Sequence, residues 1–386
     1  MKQFLKSMNS RPFPVAMLVP LFCMITAEMP AQTDVKPSNA ARWLAAADPV
    51  PLFTAPSSRG EWETSRQQIR TQLWQLLGKL PPRPAQPAVT ILSREVRDGC
   101  VVEKFQFDNG AGATVPGYVV SPTNSSARSQ KFPAILYCHW HGGEYDLGKE
   151  ELFQAKHTPE APGPALAKRG YVVLAIDSYC FGERNGQGPG GPDEKGSAGE
   201  LSASKFQLWF GRTLWGMIVR DDLMALDYLA SRPEVDAQRI GVMGMSMGAT
   251  RAWWLMALDE RLAAGVSICC LTRYQNIIEH GLLKAHGICY FVPGVLNHFD
   301  TEAIVALIAP RPALFLDGDS DGTCPVDGIH EIEAKVRPVY GLYRQETNFE
   351  SIVYPGQGHL YTPEMWRKTL TWLDNNLKIA PIKKNP

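Results

Sequence analysis

Residues 244–248 read Gly-Met-Ser-Met-Gly, which sets Ser246 midway between two glycines. Arg239-Ile240-Gly241-Val242-Met243 runs into this pentapeptide as a short apolar strand, and Ala249-Thr250-Arg251-Ala252-Trp253-Trp254 leaves it as a helix. A strand that turns sharply into a helix lifts the serine above the sheet edge. The two glycines let neighbouring backbone pass close to the strained turn. The serine backbone then lies at a helix N-terminus, where free N–H groups favour developing negative charge. The chemistry open to such a residue is nucleophilic attack on an acyl carbon. A serine hydroxyl is a weak nucleophile, so the role requires a base, an acid to orient the base, and donors for an oxyanion.

The elements that must position these groups follow from hydrophobic patterning. From Phe132 onward, short apolar runs at 132–138, 171–176, 239–243, 263–268, 312–316 and 350–354 alternate with helical stretches. The helices fall near 160–169, 213–231, 247–258, 301–308, 328–337 and 363–377. Apolar runs buried on both faces and separated by helices imply an α/β fold with a mostly parallel sheet and helices on both faces. Upstream, runs at 88–97 and 100–107 are split by Asp98-Gly99, a hairpin signal, and 115–120 is a third strand. These three form an antiparallel start to the same sheet. Glu61 to Leu77 reads as a helix with Trp62, Ile69, Leu73, Trp74 and Leu77 at helical spacing, stopped by Gly78 and Pro81-Pro82. One catalytic domain is therefore expected over 61–378, after an extended lead-in at 32–60 and before a tail at 379–386.

In a parallel sheet with this elbow, the chain order is nucleophile, acid, histidine. Five histidines follow Ser246, at 280, 286, 298, 330 and 359. Only His359 follows a strand through a Gly-rich loop, Pro355-Gly356-Gln357-Gly358, just ahead of the last helix, so it is the expected base. His330 falls within a helix, and His280, His286 and His298 lie in an irregular segment that could line a pocket. The acid is expected after strand 312–316, where Asp317, Asp319 and Asp321 are candidates. Aspartates at alternate positions also resemble a calcium loop, but no glutamate follows at the required spacing. The backbone N–H of Met247 is one expected oxyanion donor. The other comes from His139-Trp140-His141-Gly142-Gly143, with His141 preferred and Trp140 second, while the His139 side chain braces the loop. No metal is expected.

Charge is balanced, with 39 basic and 39 acidic residues, and no basic stripe interleaves with aromatics, which argues against nucleic acid as partner. Hydrophobic residues at 45% supply a large core. Lys2, Lys6 and Arg11 precede an apolar run from Val15 to Ile25, with small residues at Ala27 and Ala31. That pattern reads as a signal peptide over 1–31 and a secreted or periplasmic protein, with no membrane span. Eight cysteines, several in apolar runs, read as mostly buried free thiols with room for one disulfide that spacing cannot assign.

Further stretches carry a resemblance. They are Arg169-Gly170-Tyr171-Val172-Val173-Leu174-Ala175-Ile176-Asp177, Phe181-Gly182-Glu183-Arg184, Pro233-Glu234-Val235-Asp236 and Ile308-Ala309-Pro310-Arg311-Pro312. With the elbow, they make the chain from about Trp62 to Leu377 resemble the acetyl xylan esterase-like branch of the α/β-hydrolases. That branch is related to dienelactone hydrolases and to the catalytic domain of prolyl oligopeptidases. The resemblance implies a Ser-His-Asp esterase without cofactor, acting on a small-molecule or carbohydrate ester. The same machinery also serves peptidases, amidases and lactone hydrolases. The spacing Gly318-x-x-Asp321 with Pro325, as in related enzymes, selects Asp321 as the acid, with Asp319 the runner-up. A Gly-rich loop at 182–200 is expected over the site. Arg184, Trp209, Tyr274 and Tyr290 are the expected substrate contacts.

Overall fold

Nine strands make one sheet in the order β1-β2-β3-β5-β4-β6-β7-β8-β9. The structure is a computed structural model and describes residues 39–124 and 131–378, so the expected signal peptide at 1–31 and tail at 379–386 lie outside the described residues. The strands are β1 (Val89–Arg97), β2 (Cys100–Asp108), β3 (Thr114–Pro122), β4 (Phe132–Cys138), β5 (Val172–Ile176), β6 (Val235–Met245), β7 (Leu262–Ile268), β8 (Ala313–Gly318) and β9 (Phe349–Tyr354). β1, β2 and β3 pair antiparallel, and β3 joins β5 antiparallel. All remaining pairs, from β5–β4 through β8–β9, are parallel. The β1–β2 hairpin turns at Asp98 and Gly99, whose φ values of 53° and 75° are the pair a two-residue type I′ turn requires.

The helices are α1 (Asn39–Ala46), α2 (Arg59–Leu76), α3 (Pro162–Lys168), α4 (Gly196–Trp209), α5 (Leu214–Ser231), α6 (Met247–Leu258), α7 (Tyr274–Glu279), α8 (Thr301–Ala306), α9 (Val326–Gly341) and α10 (Pro363–Leu373). Side chains alternate across the sheet. In β4, Phe132, Ala134, Leu136 and Cys138 enter one core, with residues of α2, α5, α6, α8 and α9. Ile135 and Tyr137 enter the other, with residues of α3 and α10. A strand buried on both faces has no polar side to alternate with, which is why β4 reads as an unbroken apolar run. Trp62, Trp215, Trp253 and Trp254 are all fully buried, and truncating any one of them costs about 3–5 kcal/mol. Among the described residues no helix is long and apolar enough to cross a membrane.

Two expectations are corrected. The lead-in at 32–60 is not extended throughout, because it holds α1, and α2 already begins at Arg59 under an N-cap from Ser58. The segment 182–200 is not a continuous loop either. It forms short 3-10 turns and then enters α4 at Gly196.

Candidate active site

The β6–α6 junction puts Ser246 at φ 57° and ψ −120°, a conformation L-residues rarely adopt. Its N–H donates to the carbonyls of Ile268 at 2.8 Å and Cys269 at 3.0 Å, which pins the elbow to the end of β7. Glycine is required on either side for a steric reason. A Cβ on Gly244 or Gly248 would overlap the carbonyl oxygen of Cys138 at the end of β4. Ser246 thus sits where α6 begins, and the first-turn amides of α6, starting with Met247, have no partner within the helix.

His359 lies between β9 and α10, and Asp321 lies in the turn after β8. The structure brings them together, with His359 Nδ1 at 2.7 Å from Asp321 Oδ2. The Thr323 amide and hydroxyl donate to the other Asp321 oxygen at 2.9 and 2.7 Å. Burial opposes charge on both partners. The mutual hydrogen bond and charge outweigh it, holding the Asp321 carboxyl below its ordinary value and the His359 imidazole above its own. The runner-up, Asp319, is exposed and instead accepts the Gly356 N–H at 2.7 Å, tying the acid turn to the histidine loop. Ser246 and His359 line one cavity, although among the described residues no hydrogen bond joins them. Such bonds are often loose before substrate arrives.

The loop after β4 is held by buried groups. His139 Nε2 accepts the Ser178 N–H at 3.1 Å, so its Nδ1 carries the proton and donates to Trp140 O at 2.8 Å. Burial keeps this ring neutral. The Trp140 N–H donates to Glu151 at 2.8 Å, so as an oxyanion donor it is corrected away. Tyr137 donates to the same carboxyl at 2.6 Å, and burial raises Glu151 to about 7. The His141 N–H has no such acceptor among the described residues. Its imidazole Nε2 lies 2.9 Å from Glu200 of α4, which also accepts from Tyr145 Oη at 2.7 Å and the Cys289 N–H at 2.9 Å. Burial opposes the Glu200 charge, but these bonds hold its carboxyl down at about 2.

The cavity over Ser246 encloses about 640 Å³ and includes Tyr290, His286 and Lys284. Of the four expected substrate contacts only Tyr290 lines it. Arg184 is buried, paired with Asp221 at 3.0 Å and stacked on Tyr179, and faces a separate cavity. Trp209 ends α4 with 91% of its surface exposed, outside the cavity. Tyr274 packs edge-on behind Tyr290 in a neighbouring apolar pocket. Sequence reasoning missed Glu200 and Thr323. Thr323 could have been found from its place beside Asp321, but Glu200 carries no local signal. Among the described residues, His141, Glu200 and Cys289 bring donor atoms within 4.8 Å of one another, as do Cys269, Asp321 and His359, and these sets could hold a metal.

A mostly parallel sheet, with a strained serine elbow between β6 and α6 and a His–Asp pair from the ends of β8 and β9, defines an α/β-hydrolase fold. Residues 40–329 match the family model of the Abhydrolase family. The chain is also 36% identical over 311 residues to YtaP of Bacillus subtilis strain 168, which is named as a hydrolase, covering 80% of this chain and 98% of that protein. The chain belongs to the Abhydrolase family. Part of it, 48%, is 27% identical to 24% of dipeptidyl-peptidase 5 of Porphyromonas gingivalis. Among solved structures, a glucuronoyl esterase from Solibacter usitatus matches with a TM-score of 0.64 at 17% identity, over 85% of this chain and 98% of that one. An acetyl xylan esterase from Paenibacillus sp. R4 matches with a TM-score of 0.52 at 19% identity, over 85% and 97%. At these identities the structural likeness defines the fold.

Proposed function

We propose that this protein is a serine carboxylic-ester hydrolase acting on esterified carbohydrate. One observation carries the reading: the strained Ser246 elbow opens on a cavity shared with His359, whose Nδ1 is held 2.7 Å from Asp321. Nδ1 is thereby committed to the carboxylate, which leaves Nε2 as the base. His359 takes the Ser246 proton as Oγ attacks the ester carbonyl carbon. The N–H groups of Met247 and His141 receive the oxyanion. The ester C–O bond breaks, the alcohol leaves with the proton from His359, and the acyl group stays on Ser246. Water, deprotonated by His359, then releases the acid and restores the serine. Asp321 keeps the ring oriented and stabilises the imidazolium.

The carbohydrate assignment is supported by the names of the structural neighbours and by the cavity itself. Its breadth suits a sugar, with Tyr290 in its wall and Lys284 and His286 as polar groups. Export of the protein is supported by the charge and apolar pattern of residues 1–31. The test is a panel of p-nitrophenyl acetate, acetylated xylo-oligosaccharide, a methyl glucuronate and a fluorogenic dipeptide, run on wild type and Ser246→Ala. The expected result is ester turnover that falls by at least about 10⁴-fold in the variant. Turnover confined to the dipeptide would overturn the reading in favour of a peptidase.

A further inference from the structure

Cys270 and Cys324 approach each other beneath the acid turn, with their sulfurs 3.7 Å apart. Cys270 follows β7, where φ of 53° at Cys269 and 137° at Cys270 kinks the chain sharply. The Cys270 and Leu271 N–H groups both donate to Asp317, at 3.0 and 3.2 Å, so this corner is anchored. Cys270 lines the cavity over Ser246. Cys324 is buried in the turn that carries Asp321, and its sulfur lies 3.5 Å from the Thr323 hydroxyl. Thr323 in turn bonds Asp321 at 2.7 Å and His359 at 3.2 Å.

We propose that Cys270 and Cys324 form an oxidisable pair whose disulfide, made by a peroxide entering through the Ser246 cavity, displaces the acid turn. The chemistry balances in two steps. The Cys270 thiol attacks hydrogen peroxide and breaks the O–O bond, giving Cys270 sulfenic acid and water. The Cys324 thiol then attacks the Cys270 sulfur, forming S–S and releasing a second water. Overall, two thiols are oxidised and one peroxide is reduced to two waters. Cys270 lines the cavity while Cys324 is buried behind it, so the cavity-lining sulfur is the one that meets the peroxide first. Bonding distance is about 2.0 Å, so the sulfurs must close by somewhat under ~2 Å. Cys270 is anchored by Asp317, so the movement falls on Cys324. It reaches Asp321 and His359 through Thr323.

The cross-link stands independently of the ester reaction, while its effect on turnover rests on the proposed esterase reading. The test treats purified wild type and Cys324→Ala with hydrogen peroxide, then blocks free thiols and maps peptides by mass. In wild type, the intact mass falls by about 2 Da for the two hydrogens lost, and a linked 270–324 peptide appears that dithiothreitol removes. Turnover of p-nitrophenyl acetate falls several-fold and returns with dithiothreitol, and neither change occurs in Cys324→Ala. Sulfinic acid on Cys270 with Cys324 still free, or no linked peptide, would overturn the pair. A linked peptide with unchanged turnover would overturn the displacement of the acid turn. Wild type inactive before treatment would count against the esterase reading alone, since the peptide map still decides the cross-link.

Discussion

At His359 two effects oppose each other, and Asp321 wins. Burial disfavours the imidazolium, while the 2.7 Å hydrogen bond and the carboxylate charge favour it, so the ring titrates above its ordinary value. As the proposed base, His359 must be neutral to act. The acid limb of kcat/KM is therefore expected above pH ~6.5, the ordinary histidine value. Asp321→Asn removes the force that raises it, so the limb moves down and kcat falls by about 10⁴-fold. A pH–rate profile of both proteins checks this. The stability terms carry opposite signs. The raised imidazole stabilises the fold below its ordinary value and loses that contribution as pH rises through the raised one. The lowered Asp321 does the reverse as pH falls. Glu200 acts one step further out. It grips the His141 ring and the Cys289 amide at 2.9 Å each and Tyr145 at 2.7 Å, and so sets the position of the proposed His141 donor. Glu200→Gln is expected to lower kcat by about 10²-fold with little change in KM, because a displaced donor no longer meets the oxyanion. Steady-state kinetics with a circular dichroism control would expose a purely structural role.

The elbow is an element-scale device. β4 passes so close to the β6–α6 turn that Gly248 has no room for a side chain. Gly248→Ala is expected to cost about 3 kcal/mol, read as a lower urea midpoint. All nine strands were legible in the sequence, because an apolar run bounded by turn residues is a local signal. So were the places of Ser246 after β6 and His359 after β9, each set by the strand that precedes it. Asp321 and Asp319 differ by only two positions, and what separates them is tertiary: Asp319 is spent on Gly356, while Asp321 reaches His359. α4 escaped notice because its Gly-Ser-rich start hides it and its apolar residues are largely exposed, with Leu208 at 50% and Trp209 at 91%. Glu200 went with it, since its contact with His141 spans 59 residues of chain.

Across the whole molecule, buried charge ties the site to the scaffold. Arg251, on the helix that leaves the elbow, is fully buried and donates to Asp222 of α5 at 2.9 Å and to the His139 carbonyl at 3.4 Å. One guanidinium therefore joins the elbow helix, its neighbour and the loop after β4 that carries the proposed oxyanion donor. Asp222→Ala would leave that charge unpaired in the core, and a loss of about 3–5 kcal/mol is expected in equilibrium unfolding. The substrate contacts were the least legible part. Arg184 was an expected substrate contact, yet it is paired with Asp221 and faces a cavity that Ser246 does not line. The cavity wall is assembled instead from α4 and the 284–290 segment, far apart in sequence.

Ser246 is the proposed nucleophile, and covalent labelling reports on it without reference to any substrate. The protein is incubated with a fluorophosphonate, digested, and the adduct located by mass spectrometry. One adduct is expected, on Ser246, lost in Ser246→Ala and strongly slowed in Asp321→Asn. An adduct elsewhere, or full labelling of Ser246→Ala, would contradict it.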